Sequence, residues 1–576
     1  MAIKSAAFTV CRRLTPARVI HSVTPLTIAE SRAGRTAGRP ARRWDAPRVV
    51  RAVAGLLGLA VIGIYVSVAL ARLGYSSHLE ILESNSLIEV HRILAGQPLY
   101  AAPSASYVPD GYPPLYFDVS AAVASVLGQS YLPLRLVSVV SSLACFALLA
   151  QLVRRETGSA GAGIAAAGLL AATYFVTYTW FDVARVESLF LALSVAALYA
   201  ARQMRRPRGA IVVGLLLGAA FLTKQSALAE GVAVLAAVVA GPRRRLAVPA
   251  AVTYGAVVGG STLALGLASH GWYVYYVFGQ MSQHALSANS ASAFWISELL
   301  PTLAIAICAV VLGARRIPLV LLCGCAALVV ESFAARAQTG SNLNDLLPAY
   351  LVVAVLGGLA MGGQPALVPG GATVRLARFQ WLVRFTRFTG FAWFTRWRRG
   401  AAGPWIPVAV SALVLVQIGV LAGGFRLSKA FPPQADRVAN QRLVAVAREL
   451  GGTVAIPADP GIAVTAGLPP TEDQVAAADV LRASDQGPKT IFEASLARAV
   501  ATQRYSGIIT EFQRDLRGFP ADLSQYYHKC PQTPLDGVLS VPFSASAKPF
   551  PTSVWLPIGR GPSCVAVART LESQEN

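Results

Sequence analysis

The feature that most constrains this chain is a repeated unit: an apolar run of about 20 residues that closes on a cluster of arginines. "LRLVSVVSSLACFALLAQLVRRE" ends at Arg154 and Arg155, "LFLALSVAALYAARQMRRPR" at Arg205, Arg206 and Arg208, and "LAEGVAVLAAVVAGPRRR" at Arg243, Arg244 and Arg245. Only 14% of the 576 residues are charged, against roughly 25% in soluble domains. One water-soluble core cannot hide so much apolar surface, so the expected class is a polytopic α-helical membrane protein. The net charge of +22 would suit nucleic acid, but the arginines form short groups between apolar runs. That is the pattern of the positive-inside rule, and it excludes nucleic acid as a partner.

Residues 1–50 are rich in Arg, Ala, Pro and Ser without lasting periodicity, and are expected to be a disordered basic tail on the cytoplasmic face. The long basic stretch before the first apolar run argues against a cleaved signal peptide. The first span is Ala52–Ala71, which puts Arg72–Pro114 outside. "YPPLYFDVSAAVASVLG" is short and interrupted, and reads as a helix along the outer surface. Counting it as a span would reverse every later helix and put the arginine pairs outside. Alternation then gives about eleven spans within residues 51–424, the last being "WIPVAVSALVLVQIGVLAGG". "RLARFQWLVRFTRFTGFAWFTRWRRG" reads as an interfacial helix on the anionic inner leaflet. Residues 425–576 are polar and mixed, a small extracytoplasmic α/β domain with strands at "GTVAIPAD" and "SGIITEF" and helices at "DRVANQRLVAVARELG" and "IFEASLARAVATQR". Cys530 and Cys564 fall in that region and can pair if it lies outside the cytoplasm. The expected location is the plasma membrane, with the N-terminus cytoplasmic and membrane lipids as constant partners.

This topology gathers the ionisable groups near the bilayer on one face. Asp182, Arg185 and Glu187 sit at the outer end of one helix pair, Lys224 at another, and Asn342, Asn344 and Asp345 at a third, with Glu83 and Asp110 in the first outer loop. A charge within a membrane costs a few kcal/mol at least, so such a set marks a functional site. A carboxylate can take a proton from a hydroxyl. Lys and Arg can hold a phosphate leaving group. Aromatic rings can stack on sugars, the candidates being Tyr112, Tyr116, Trp272, Tyr273, Tyr275 and Tyr276. These parts suit sugar transfer from a lipid-phosphate donor. They also suit the alternative, a multi-pass transporter or flippase of lipid-linked sugars. A third reading is an assembly subunit whose C-terminal domain binds a partner. No two histidines have i,i+4 spacing, so histidine metal ligation is not expected.

"ESNSLIEVHRILAGQPLYAAPSASYVPDGYPPLYF" resembles the first outer loop of the polytopic GT-C glycosyltransferases, in particular the bacterial dolichyl-phosphate-mannose protein mannosyltransferase-like group (glycosyltransferase family 39/87-like). "VARVESLFLAL" resembles its R-x-D/E motif, "GAAFLTKQSAL" its outward-ending Lys segment, and "TGSNLNDLLPAY" its later Asn-rich turn; the resemblance covers roughly residues 50–365. It implies a polyprenyl-phosphate sugar as donor, a glycan, lipid or protein as acceptor, and an extracytoplasmic site. It further implies Glu83 as catalytic base, Lys224 and Arg185 on the donor phosphate, Glu187 holding Arg185 or the acceptor, and Asn342 and Asn344 lining the site, with Tyr112, Asp182 and Asp345 as further substrate-binding candidates. Glu80 is a rival base. Glu83 stands alone where some relatives carry an adjacent Asp-Glu pair, so no metal ligand is assigned and a divalent ion is the one cofactor left open.

Overall fold

The computed structural model describes residues 45–313, 316–362, 373–375, 405–510, 518–530 and 553–572. The tail at 1–44 and the segment read as an interfacial helix lie outside the described residues. From Ala46 onward the described chain forms one compact unit.

Helix α1 spans Ala46–Leu73. Two helices of the first outer loop follow, α2 (Glu83–Leu94) and α3 (Leu115–Leu127). Ten more build the bundle with α1: α4 (Tyr131–Thr157), α5 (Ala160–Ala172), α6 (Glu187–Gln203), α7 (Pro207–Thr223), α8 (Ala227–Val239), α9 (Ala247–Ala268), α10 (Leu300–Gly313), α11 (Leu319–Arg336), α12 (Leu347–Met361) and α13 (Ile406–Gly423). Every apolar run read as a span is therefore a helix. Among the described residues seven segments are long and apolar enough to cross a membrane. The helices α5 to α8 are shorter, at 13, 17, 17 and 13 residues.

Small residues let the bundle close. Helices α1 and α5 touch backbone to backbone, and a Cβ on Gly168 would stand 2.1 Å from the Cα of Gly58. In an apolar solvent such close packing replaces the hydrophobic effect as the glue between helices. Pro301 interrupts the hydrogen-bond ladder at the start of α10, and Leu303 leaves helical geometry there. Gln417 of α13 fills the gap: its side-chain oxygen accepts from the Ala306 N–H at 3.1 Å and its amide donates to the Thr302 carbonyl at 3.0 Å. A polar side chain inside a bundle is retained where it satisfies such freed groups.

Helix α5 stops earlier than its apolar run. The run extends to Trp180, but the helix ends at Ala172, and residues 173–186 form irregular turns that are buried apart from Val176 and Tyr178. Tyr178 and Thr179 have φ of 54° and 67°, in the left-handed region that a β-branched residue rarely enters. Irregular backbone at this depth persists where protein covers it. This segment carries Asp182 and Arg185.

Beyond the bundle come α14 (Gln434–Leu450), α15 (Gln474–Arg482), α16 (Gln486–Ala501) and α17 (Cys564–Glu572). They accompany strands β1 (Val454–Ala455), β2 (Gly507–Thr510), β3 (Tyr527–Lys529) and β4 (Ser553–Pro557). The sheet order is β1-β2-β4-β3. Its first pair is parallel and the other two are antiparallel. Cys530 and Cys564 are disulfide-bonded.

Candidate active site at the mouth of the bundle

Two ends of the bundle differ in charge. At one, Arg202 pairs with Glu156 at 2.7 Å and Arg243 donates to the carbonyls of Arg202 and Met204. At the other, groups from five sequence-distant segments converge. Glu187, the first residue of α6, has Arg185 Nε 3.6 Å from its Oε2 and Lys224 Nζ 3.9 Å from its Oε1. The side-chain amide of Asn344 donates to that same Oε1 at 2.8 Å. Lys224, just past α7, donates to Asp345 Oδ1 at 3.3 Å. Arg185 donates to the Tyr112 hydroxyl at 3.0 Å, and its guanidinium lies over the rings of Tyr112 and Trp180 at 5.3 and 5.5 Å. On its far side Nη1 stands 3.7 Å from Glu80 Oε2.

Glu80, Arg185, Glu187, Lys224, Asn344, Asp345 and Tyr112 therefore share one site. Two cations face several carboxylates, and Arg185 Nε and Nη1 make no close hydrogen bond. Buried donors in that state are available to a phosphate. Gln225 ties the site to the first loop, donating to the Gly111 carbonyl at 2.8 Å. Asp110 stands in that loop, its acidity weakened by burial, against the opposing charge of Arg185, to about 6.

Other expected members sit apart. Asp182 pairs with Arg72 at 3.4 Å. Asn342 caps the turn before α12, accepting from the Leu343 N–H at 2.8 Å. Tyr116 donates to the Leu134 carbonyl at 3.0 Å. Tyr273 and Tyr276 are buried in the core that α15, α16 and the sheet share, so neither presents a ring to a substrate.

Glu83 is enclosed on every side. Arg135 Nε reaches Oε1 at 3.0 Å and Nη2 reaches Oε2 at 2.6 Å. The N–H of Leu79 donates to Oε2 at 2.5 Å and that of Ala184 to Oε1 at 2.6 Å. Burial opposes the charged form, but Arg135 and the two backbone donors outweigh it and hold the carboxyl below its ordinary range. With four donors in place, this carboxylate has little capacity left to take a substrate proton. Glu80 differs: burial, partly countered by Arg185, pushes it up to about 8.

Arg135 is the residue that the sequence reading passed over. Its signal was an arginine within the first turns of an apolar helix, a placement that calls for a buried partner. Among the described residues, the one group of three side chains spaced to hold a metal ion is His528, Cys530 and Cys564. Both of its cysteines are spent in the disulfide.

Residues 112–273 match the family model described as dolichyl-phosphate-mannose-protein mannosyltransferase. The fold is similar to the crystal structure of ArnT from Cupriavidus metallidurans bound to undecaprenyl phosphate, with a TM-score of 0.54 at 14% identity, over 88% of this chain and 99% of that one. For ArnT from the same organism in the apo state the TM-score is 0.50 at 13% identity, over 86% and 97% of the two chains. No curated protein matches the chain in sequence. The architecture is that of a polytopic membrane protein with the GT-C glycosyltransferase fold. The segment that matches the mannosyltransferase family model is the one that holds Tyr112, Arg185, Glu187 and Lys224.

Proposed function

We propose that the protein transfers a sugar from a polyprenyl-phosphate donor to a hydroxyl acceptor on the extracytoplasmic face of the plasma membrane. The observation that carries this reading is the convergence of Arg185 and Lys224 on Glu187, at the bundle end opposite the arginine clusters. Two cations on one side of a site suit a phosphate that must leave as an anion. In the reaction, the acceptor oxygen attacks the anomeric carbon, the bond from that carbon to the phosphate oxygen breaks, and polyprenyl phosphate departs with the negative charge held by Arg185 and Lys224. The acceptor proton passes to Glu80, which stands beside Arg185 and has a pKa near the working range of a general base. Glu83 supports that geometry as an anchor. It grips the N–H of Leu79, next to Glu80, and that of Ala184, next to Arg185.

The test is transfer by the purified protein in proteoliposomes, supplied with polyprenyl-phosphate sugars and glycan, lipid or peptide acceptors, with products read by mass spectrometry. Expected are a glycosylated product and free polyprenyl phosphate, both lost in Glu80→Gln. Movement of intact donor across the bilayer without any product would instead support the flippase alternative.

A further inference from the structure

The C-terminal domain does not merely follow the bundle; it is bonded to the loop that carries Glu80 and Glu83. The contact is made by the loop after β1, "IPADPG", whose Asp459 is buried. Asp459 Oδ1 accepts from Ser84 Oγ at 2.5 Å and from the Tyr131 hydroxyl at 3.2 Å. Its Oδ2 stands 2.5 Å from His78 Nδ1 and 3.4 Å from Ser77 Oγ. Ser77, His78 and Ser84 bracket Leu79–Glu83 from both ends, and Tyr131 adds a contact from α4. Gly461 makes the approach possible, because a Cβ there would lie 2.1 Å from the Tyr131 hydroxyl. The seam continues along α14, where Asn440 donates to Ser76 Oγ at 3.4 Å and Arg437 lies 5.3 Å from the Tyr75 ring.

A buried carboxylate is retained where it fixes one arrangement of the groups around it. The arrangement here is the turn of residues 77–84. Arg135 and Glu83 hold this turn from the membrane side, and Asp459 holds it from the other.

We propose that Asp459 is a positioning residue for the transferase site: docking of the C-terminal domain through Asp459 and Gly461 onto Ser77, His78, Ser84 and Tyr131 sets the turn that aims Glu80. The inference rests on the transferase reading above and assigns the C-terminal domain a part in catalysis. Among the contacts described, Asp459 bonds to the turn and to Tyr131 rather than to Arg185, Glu187 or Lys224, so its loss is expected to fall on kcat more than on donor KM.

The experiment compares the full-length wild type with Asp459→Asn and Gly461→Val in the proteoliposome assay. It also follows amide exchange of residues 77–84 and thermal unfolding. Expected for Asp459→Asn is a kcat lower by about tenfold or more with the donor KM within about twofold, faster exchange at the Leu79 amide, and an unfolding midpoint within about 4 °C of the wild type. Gly461→Val reaches the same kinetic signature by pushing the loop off Tyr131. Unchanged kcat in Asp459→Asn, while the wild type is active, overturns this inference alone. So does a joint fall of kcat, donor affinity and midpoint, which would mark a merely structural role. Absence of transfer by the wild type overturns the transferase reading and this inference with it.

Discussion

Arg135 meets both carboxylate oxygens of Glu83 and, with its remaining donors, the carbonyls of Tyr75 at 2.5 Å and Ser77 at 2.6 Å. One guanidinium thereby joins α4, the end of α1 and the first outer loop. Removing one partner of a buried pair leaves a charge with nothing to balance it, at a cost of about 3–5 kcal/mol. Arg135→Met is expected to lower the midpoint of thermal unfolding and the transfer rate together. The double variant Arg135→Met with Glu83→Gln is expected to recover part of the stability, because the stranded carboxylate is gone. A double variant no more stable than Arg135→Met would show that the two do not act as a pair.

Lys224 and Arg185 are predicted to divide the work on the donor phosphate unequally. Lys224 is a point charge bonded to Asp345, and its replacement by Ala should lower kcat/KM by about a hundredfold or more. Arg185 lies within reach of the Tyr112 and Trp180 rings and donates to the Tyr112 hydroxyl, and its planar fork of donors is what Lys lacks. Arg185→Lys is therefore expected to lose most activity although the charge is kept. Steady-state kinetics on a polyprenyl-phosphate sugar would read both, and an Arg185→Lys enzyme with wild-type kinetics would contradict the assignment.

The pH dependence follows from Glu80, raised from an ordinary 4.5 to about 8 by burial, with Arg185 opposing. A base must be ionised to accept the proton, so the rate is expected to climb about tenfold per pH unit below 8 and to level off above it. Glu80→Gln removes that rise. Stability runs the other way. Glu89, likewise raised to about 8 chiefly by burial, accepts from Tyr107 and from the Asp110 N–H. A carboxyl whose pKa is raised by folding favours the fold fully below its unfolded value, and this contribution fades as pH rises through about 8. Glu89→Gln, a mimic of the protonated form, is expected to unfold at a higher temperature than the wild type above pH 8, by a smaller margin at pH 6, and close to it only below the ordinary value of 4.5. Equal midpoints at pH 9 would count against a protonated Glu89.

The apolar runs were legible because a helix in lipid must be apolar along its whole length, and the arginines at alternate ends set the expected direction of each. Lys224 and Glu187 could be put on one face by that alternation alone. Three features were not legible. The early end of α5 at Ala172 was hidden by hydropathy: the aromatic and β-branched Thr173–Trp180 continues the apolar run that the Ala-, Gly- and Leu-rich helix begins. Glu83 stands in the loop segment that carries the family resemblance, yet its enclosure depends on an arginine 52 positions away. Asp459 sits in an ordinary-looking loop of a polar domain, and its partners lie more than 300 residues earlier. Contacts of such separation leave no periodic trace; only an ionisable residue in an apolar or tightly turned setting hints at them, as Arg135 does.

The Cys530–Cys564 bond offers a check on sidedness that needs no substrate. The two cysteines are 34 positions apart, and closing a loop of that size is worth about 3–4 kcal/mol to the domain on the chain-entropy account. A disulfide persists only in an oxidising compartment, so its presence in cells is tied to an extracytoplasmic C-terminal domain. Cells lysed under acid quench and treated with a thiol-reactive polymer should show no labelling at Cys530 or Cys564 until reductant is added. The tryptic peptides should appear cross-linked in the mass spectrum. Cys530→Ser with Cys564→Ser is expected to make the domain more sensitive to protease while the bundle helices stay inserted. Thiols at both positions in unreduced cells would place the domain, and with it Asp459 and the site it is bonded to, on the cytoplasmic side, and would require the whole alternation of helices to be inverted.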